Sequence, residues 1–388
     1  MSYLRRLSTR SLILLLLALT GLAAAGAAIA VAAGGGGPTP PPKPLDQAIV
    51  DALGAKQPDG VTARITFTNK LFPSGALIGQ VGSALMSGAS GRLWLTGDGY
   101  GRIELQSNAG DVQIVWNDTE LSVYDASSNT VYRSTLPAGS SSDSSASDNS
   151  TPPTLADVDK ALTDIGVHWA LSDAQPTDVA GQAAYSVTAS PKHDGGLLGQ
   201  LELAWDAVQG TPLRAGIYAQ GSTDPVLQLE VTDIAYGAVP SSDIEIAPPS
   251  DAKVVELGSS TQSDQSSSGT PAVTGLDAVT AAADFPVVAP DSLVGLPRKD
   301  VRLVGGDTVL VFYGEGLGGL ALVERKAEAS GSGGQLSSLP TVSLDGLTAN
   351  ELATQLGTVL EWQTGGTSFV LAGSLPPAAA ETAARAVK

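Results

Sequence analysis

The chain has no cysteine. This excludes disulfides, thiolate nucleophiles and Cys-ligated zinc, and it rules out a lipid carried on an N-terminal cysteine as the membrane attachment. Histidine is almost as scarce. His168 and His193 stand at a strand start and in a Pro/Gly loop, without a third ligand at metal spacing. Neither a metal nor a cofactor is expected. Basic residues are few as well, 21 Lys and Arg against 39 Asp and Glu for a net charge of −18, which repels phosphate backbones and argues against nucleic acid as a partner. Charged residues are only 15% of the 388-residue chain, so its surface is polar through Gly, Ser and Thr rather than ionic. A nucleophile elbow Gly-x-Ser-x-Gly is also missing. Carboxylates can still pair in space for acid–base chemistry, but no sequence feature points to an enzyme.

One long hydrophobic run is present. Arg5, Arg6 and Arg10 precede an uncharged stretch from Ser11 to Ala33, and about 20 apolar residues suffice to cross the hydrocarbon of a bilayer. The Leu-rich part alone has the length of a signal-peptide core, and Ala30-Val31-Ala32-Ala33 offers a small-residue cleavage site. The run at 11–33 is therefore read as a transmembrane anchor, with a cleaved signal as the alternative. The arginines place residues 1–10 in the cytoplasm. Either reading puts the bulk of the chain outside, as a single-pass protein of the cell membrane or as a secreted one.

Beyond the run, residues 34–44 are Gly- and then Pro-rich, the composition of a spacer. Leu45, Ala48, Ile49, Ala52 and Leu53 have the three-and-four spacing of a short amphipathic helix ending near Pro58. From Val61 the period changes to two, with strands predicted at 61–69, 91–97, 100–107, 111–116, 120–125 and 130–134. Turns this short join only antiparallel neighbours. Residues 137–152 are Ser/Asp-rich with nothing to bury and read as a disordered insertion. A helix over 154–166 follows, with Thr154 capping three residues before Asp157. Strands at 167–171, 183–189, 199–205, 212–219 and 225–236 complete a first unit at 45–248. A Ser-rich linker at 249–272 leads to a second unit at 273–388. There the pattern predicts helices at 274–283 and 376–387 and strands at 300–304, 308–313, 320–325, 357–363 and 367–372. The fold class is α+β: a curved antiparallel sheet covered by helices, plus a second small α+β domain.

Two features invite over-reading. Gly314-Glu315-Gly316-Leu317-Gly318-Gly319 has dinucleotide spacing, but it is followed by the strand-like Leu320-Ala321-Leu322-Val323 instead of a helix, so it reads as a turn. Trp94, Trp116, Trp169, Trp205 and Trp362 all fall in strand segments, where packed faces favour aromatics.

The segment Val115 to Arg133, through Val123, Tyr124, Asp125, Asn129 and Tyr132, resembles the signature stretch of the LolA-like superfamily. That superfamily includes the periplasmic lipoprotein carrier, the mycobacterial lipid-binding lipoproteins and the sigma-factor regulator RseB. The order of elements agrees over Leu45 to about Pro248. Residues 357–363 and 368–376 with the closing helix are similar to a small domain found near anti-sigma and carrier-like domains. The resemblance implies a half-barrel whose apolar concave face accepts acyl chains, without catalysis. The candidate lining is the period-two set Leu93, Leu95, Ile103, Leu105, Ile114, Trp116, Leu121 and Val123, with helices filling the face as the competing reading. The expected partners are a lipid or acylated protein, the membrane through the N-terminal segment, and an envelope protein. A sensor or protein-interaction module regulating a membrane or sigma-factor partner is the alternative function. An added domain and a retained anchor both depart from the freely diffusing carriers.

Overall fold

The computed structural model describes residues 37–71, 84–136, 154–193, 195–257, 273–327 and 339–387. The predicted insertion and the apolar run at 11–33 lie outside the described residues. No helix among the described residues is long and apolar enough to cross a membrane.

The first unit opens with α1 (Leu45–Gly54) and β1 (Gly60–Asn69). The short α2 (Ala84–Ser87) leads into β2 (Ala89–Thr96), β3 (Gly101–Ser107), β4 (Gly110–Trp116), β5 (Glu120–Asp125) and β6 (Thr130–Thr135). After α3 (Leu155–Gly166) come β7 (Trp169–Leu171), β8 (Gln175–Val179), β9 (Gln182–Pro191), β10 (Leu198–Asp206), β11 (Pro212–Ala219), β12 (Pro225–Tyr236) and β13 (Lys253–Leu257). These strands form one large, curved, unclosed sheet in the order β13-β6-β5-β4-β3-β2-β1-β12-β11-β10-β9-β7, with β8 also on β9. The return of β12 to the side of β1 joins two meanders into one surface. Alternation sets the faces: in β1, Val61, Ala63, Ile65 and Phe67 are buried while Thr62 and Arg64 are exposed.

The second unit holds β14 (Val273–Thr274), α4 (Leu276–Ala282), β15 (Ser292–Leu293), β16 (Leu296–Val304), β17 (Thr308–Tyr313), β18 (Leu320–Lys326), β19 (Thr341–Leu344), β20 (Leu347–Thr354), β21 (Gly357–Thr364), β22 (Thr367–Gly373) and α5 (Pro377–Ala386). Its sheet runs β14-β16-β17-β18-β22-β21-β20-β19, with β15 on β16. The centre of one face is covered: Leu322, Leu360 and Leu371 pack with Val279 of α4 and Ala380, Ala383 and Ala384 of α5, and Trp362 stacks on Phe369 at 5.3 Å. The glycines at 314–319 form a single 3-10 turn between β17 and β18, which are hairpin partners, so no helix opens there for a pyrophosphate.

Three expectations need correction. The stretch at 249–272 is not all linker, because Lys253–Leu257 pairs with β6, and does so in parallel, extending the first sheet past residue 248. The spacer at 34–44 is not free from Gly37 onward. The Tyr185 hydroxyl donates to the Pro41 carbonyl at 2.7 Å, and Lys43 pairs with Asp51 over the Tyr185 ring. In the second unit, β19 and β20 occupy a stretch where the sequence pattern indicated no strand.

Candidate ligand-binding face

The strand registers decide which side chains share a face. Ala63, Leu93, Ile103, Ile114, Val123 and Tyr132 stand side by side across β1 to β6. The row on one side is Val61, Leu95, Gly101, Trp116, Leu121 and Ser134, and on the other Ile65, Gly91, Leu105, Val112, Asp125 and Thr130. All eight candidate residues therefore lie on one face, here the inner face. The same face continues through Phe67, Leu229, Ala215, Leu203 and Val187 to β9.

Cover over this face is uneven. At the β9–β10 end, α1 lies on it, packing Ala48 and Ile49 against Tyr185, Trp205, Val187 and Leu203. Among the described residues, the single turn of α2 sits over β1, β3 and β4, where Ala84 is buried and Leu85 touches the cluster, its carbonyl accepting from Asn69 Nδ2 at 2.9 Å. Leu105 and Val112 are buried beneath it. Leu93, Leu95, Ile103, Ile114 and Val123 pack against the same cluster yet remain half-buried, as does Tyr132 at the end of their row.

One of the eight candidates, Trp116, has other work. The Trp116 ring occupies the space that a Cβ on Gly101 would need, and its Nε1 donates to the Gly99 carbonyl at 3.0 Å, so it clamps the β2–β3 turn. Leu121 is its cross-strand neighbour. Phe67, Val112, Leu85 and Tyr132, which the sequence list omits, belong to this surface. Tyr132 and Val112 carry the same period-two signal as the listed residues; Leu85 sits in a one-turn helix with no readable period.

The signature residues serve the frame. Asp125 Oδ1 accepts from the Ser127 amide at 2.9 Å and its hydroxyl at 2.6 Å, closing the β5–β6 turn. Asn129 takes a left-handed conformation, φ 47°, accepts from the Tyr124 hydroxyl at 3.1 Å and donates to Asp251 Oδ2 at 3.1 Å, which fixes the chain entering β13.

The outer face is closed by a strap at 237–252. Arg102 is buried on this face over the Trp94 ring at 4.7 Å, pairs with Glu104, and donates from Nη1 to the Asp243 carbonyl at 2.8 Å, while Ile244 is buried beside it. Between the strap and Gln113, Ser122 and Arg133 lies a cleft of about 230 Å³, and a second of about 370 Å³ lies between Lys56–Asp59 and Val208–Gln209. The first lies on the outer face, and the second is a loop cleft reached by Tyr236, the cross-strand partner of Val61.

The fold does bring two carboxylates together, on the outer face. Glu202 and Glu230 both approach Arg214, at 3.3 and 3.5 Å, with Tyr218 donating to Glu202 at 2.5 Å and Gln228 to Glu230 at 3.0 Å. Burial pushes the Glu230 carboxyl up against the pull of Arg214. Each oxygen pair is already engaged by neighbours, which suits cross-strand bracing. His168 is exposed at the α3–β7 turn and its carbonyl accepts from the Lys192 amide at 2.9 Å.

No protein-family model and no curated protein matches the sequence. Among solved structures the chain is similar to MucB in the MucA/MucB complex of Pseudomonas aeruginosa, at 15% identity and a TM-score of 0.42, over 87% of this chain and 95% of that one. It is also similar to a LolA superfamily protein from Nitrosomonas europaea, at 11% identity and a TM-score of 0.23, over 53% of this chain and 98% of that one. An uncharacterized conserved protein from Thermus thermophilus aligns at 13% identity and a TM-score of 0.34, over 54% and 98% of the two chains. The description of both sheets stands on the strand registers above.

Proposed function

We propose that the inner face of β2 to β5 holds acyl chains of a lipid or acylated protein, without catalysis, on an extracytoplasmic protein attached to its membrane by the N-terminal run. The observation that carries this is a contrast within one chain. The second sheet buries the apolar side chains of its central strands β17, β18, β21 and β22 under α4 and α5, whereas the first leaves Leu93, Leu95, Ile103, Ile114 and Val123 half-covered in adjacent rows across its centre. Each methylene buried there contributes about 0.8 kcal/mol, so a chain of ten or so methylenes gives enough for binding after its ordering cost.

The test is organic extraction of the purified full chain and mass spectrometry of the extract, with Leu93→Arg and Ile114→Arg as variants. These half-buried sites can carry a solvated charge; Leu105 is too deeply buried for that. Stoichiometric lipid in the parent and none in folded variants is the expected result. A parent that is lipid-free and ignores fluorescent acyl probes refutes the proposal.

A protein-interaction module is favoured by one observation. The two units touch where Leu356 packs on Ala219, Val226 and Leu227, the Leu197 amide donates to Ser374 Oγ at 2.8 Å, and Gln355 Nε2 donates to the Lys70 carbonyl at 3.0 Å. This gives a composite surface that a partner protein could read.

A further inference from the structure

Helix α3 is apolar along one side and barely uses it. Leu155, Val158, Leu162 and Ile165 fall within about 80° of arc at 100° per residue, facing α1, β7 or solvent. Only Val158 is buried, at 5% exposure; Leu155 is 42%, Ile165 46% and the following Val167 61% exposed. α3 rests against α1 and β7, so the middle of its stripe is covered and both ends overhang. Exposed aliphatic side chains in such a row are unfavourable in water and mark a surface that meets something apolar.

The chain's own tether says what that is. β7 and β8 lie along the same edge of β9, and Lys192 at the end of β9 ties this edge to α3 by donating to the Gly166 carbonyl. Gly37 packs against Asp178 of β8, and from there the chain is pinned by Pro41 on Tyr185. Three residues, Gly34 to Gly36, separate this pinned point from Ala33, the end of the uncharged run. Four extended steps reach about 14 Å at most. A bilayer holding that run must therefore lie close to the sheet edge that carries α3.

We infer that the overhanging ends of the α3 stripe, Leu155 and Ile165, rest on the surface of the bilayer that anchors the chain. The contact is apolar rather than electrostatic. The polar side of α3 carries Asp157, Asp159 and Asp164 against Lys160 alone, and Lys160 already pairs with Asp164 at 3.4 Å. Anionic headgroups weaken the contact and zwitterionic ones permit it. This docking holds the first unit in one orientation and presents its remaining surface, the inner face included, at a set height above the membrane. The inference rests on the anchor reading of the N-terminal run.

Because the chain has no cysteine, a single one can be introduced cleanly. The full chain with Ile165→Cys, and separately with Thr62→Cys on the outer face of β1 as control, is labelled with an environment-sensitive fluorophore. Each is reconstituted into phosphatidylcholine vesicles containing nitroxide-labelled lipid. Co-flotation of the chain with at least two-fold quenching at residue 165, and none at residue 62, is the expected result, with the quenching reduced by Leu155→Asp or by anionic lipid. Co-flotation with equal quenching at both sites overturns the inference and leaves the anchor standing. A blue-shifted but unquenched label at 165 means that protein covers the stripe, which also overturns it. A chain that does not float takes down the anchor and the inference together.

Discussion

Glu324 is the charge most out of place in this protein, and replacing it gives a measurable prediction. It sits on the inward face of β18 between Val309 and Phe369, at 0% exposure. One carboxylate oxygen accepts from the Val288 amide at 2.9 Å and Oε1 has no partner. Burial raises its pKa from 4.5 to about 7, against a smaller lowering by the Val288 bond. Because the folded pKa is the higher one, the native state binds the proton more tightly. The stability linked to this group is complete below pH 4.5 and is lost as pH rises through 7. At about 1.4 kcal/mol per unit, the second unit loses about 2.5 kcal/mol between pH 5 and pH 8 through this group. Glu324→Gln keeps an oxygen for Val288 and removes the charge. It should flatten that dependence and leave the variant about 3 kcal/mol more stable than the parent at pH 8, with under about 1 kcal/mol between them at pH 5. The assay is urea unfolding followed by hydrogen-exchange mass spectrometry on β17, β18 and β22 peptides, corrected for intrinsic exchange rates. An equal gap between parent and variant at both pH values refutes the argument.

Other perturbations act on the first unit. Arg102→Met keeps bulk over Trp94 but loses the bond to the Asp243 carbonyl, so it should cost about 1.5–3 kcal/mol and raise amide exchange across 244–248. Asn129→Ala loses the Tyr124 and Asp251 bonds and strains a left-handed position; a loss of about 2 kcal/mol and selective deprotection of β13 are expected in exchange. Thr154→Ala removes a reciprocal capping box in which Thr154 Oγ1 accepts from the Asp157 amide at 3.3 Å and Asp157 Oδ2 accepts from the Thr154 amide at 3.0 Å. About 1 kcal/mol of helix stability goes with it, seen as faster exchange confined to α3.

Wherever a segment's own pattern is sufficient, the sequence foretells the structure. The meander from β1 to β6 and the closing strands of the second unit carry strict alternation and short turns, so their bounds are legible to within a residue or two. Thr154 with Asp157 announces the start of α3. Failures occur where pairing, not pattern, makes the strand. Lys253–Leu257 is a strand only because β6 offers it an edge, reached through Asn129 and Asp251 across 122 residues of sequence. β19 and β20 did have a local signal, Asp345-Gly346 in left-handed conformations at φ 50° and 97° between two β-prone runs. The candidate face is legible as a period, since all eight residues share it. Burial is not legible, because what covers Leu105 and spares Leu93 is the placement of a single helical turn.

The two faces of the first sheet follow opposite strategies, and the difference bears on function. On the outer face, a buried arginine, Trp94 and a strap pinned at Asp243 and Asp251 close the β2–β6 half with residues from the far end of the unit. A sheet that needed only a covered core could treat its inner face the same way, as the second unit does with α4 and α5. Instead the inner cover among the described residues is α1 and α2, and the longer helix α3 lies at the sheet edge with its stripe turned partly to solvent. Half-buried rows of aliphatic side chains lower stability relative to full burial by about 25 cal/mol for every Å² left wet. That loss is recovered when an apolar occupant arrives, which is what the proposed acyl ligand on the row of Leu93 and Ile114 and the proposed bilayer contact of α3 would each supply.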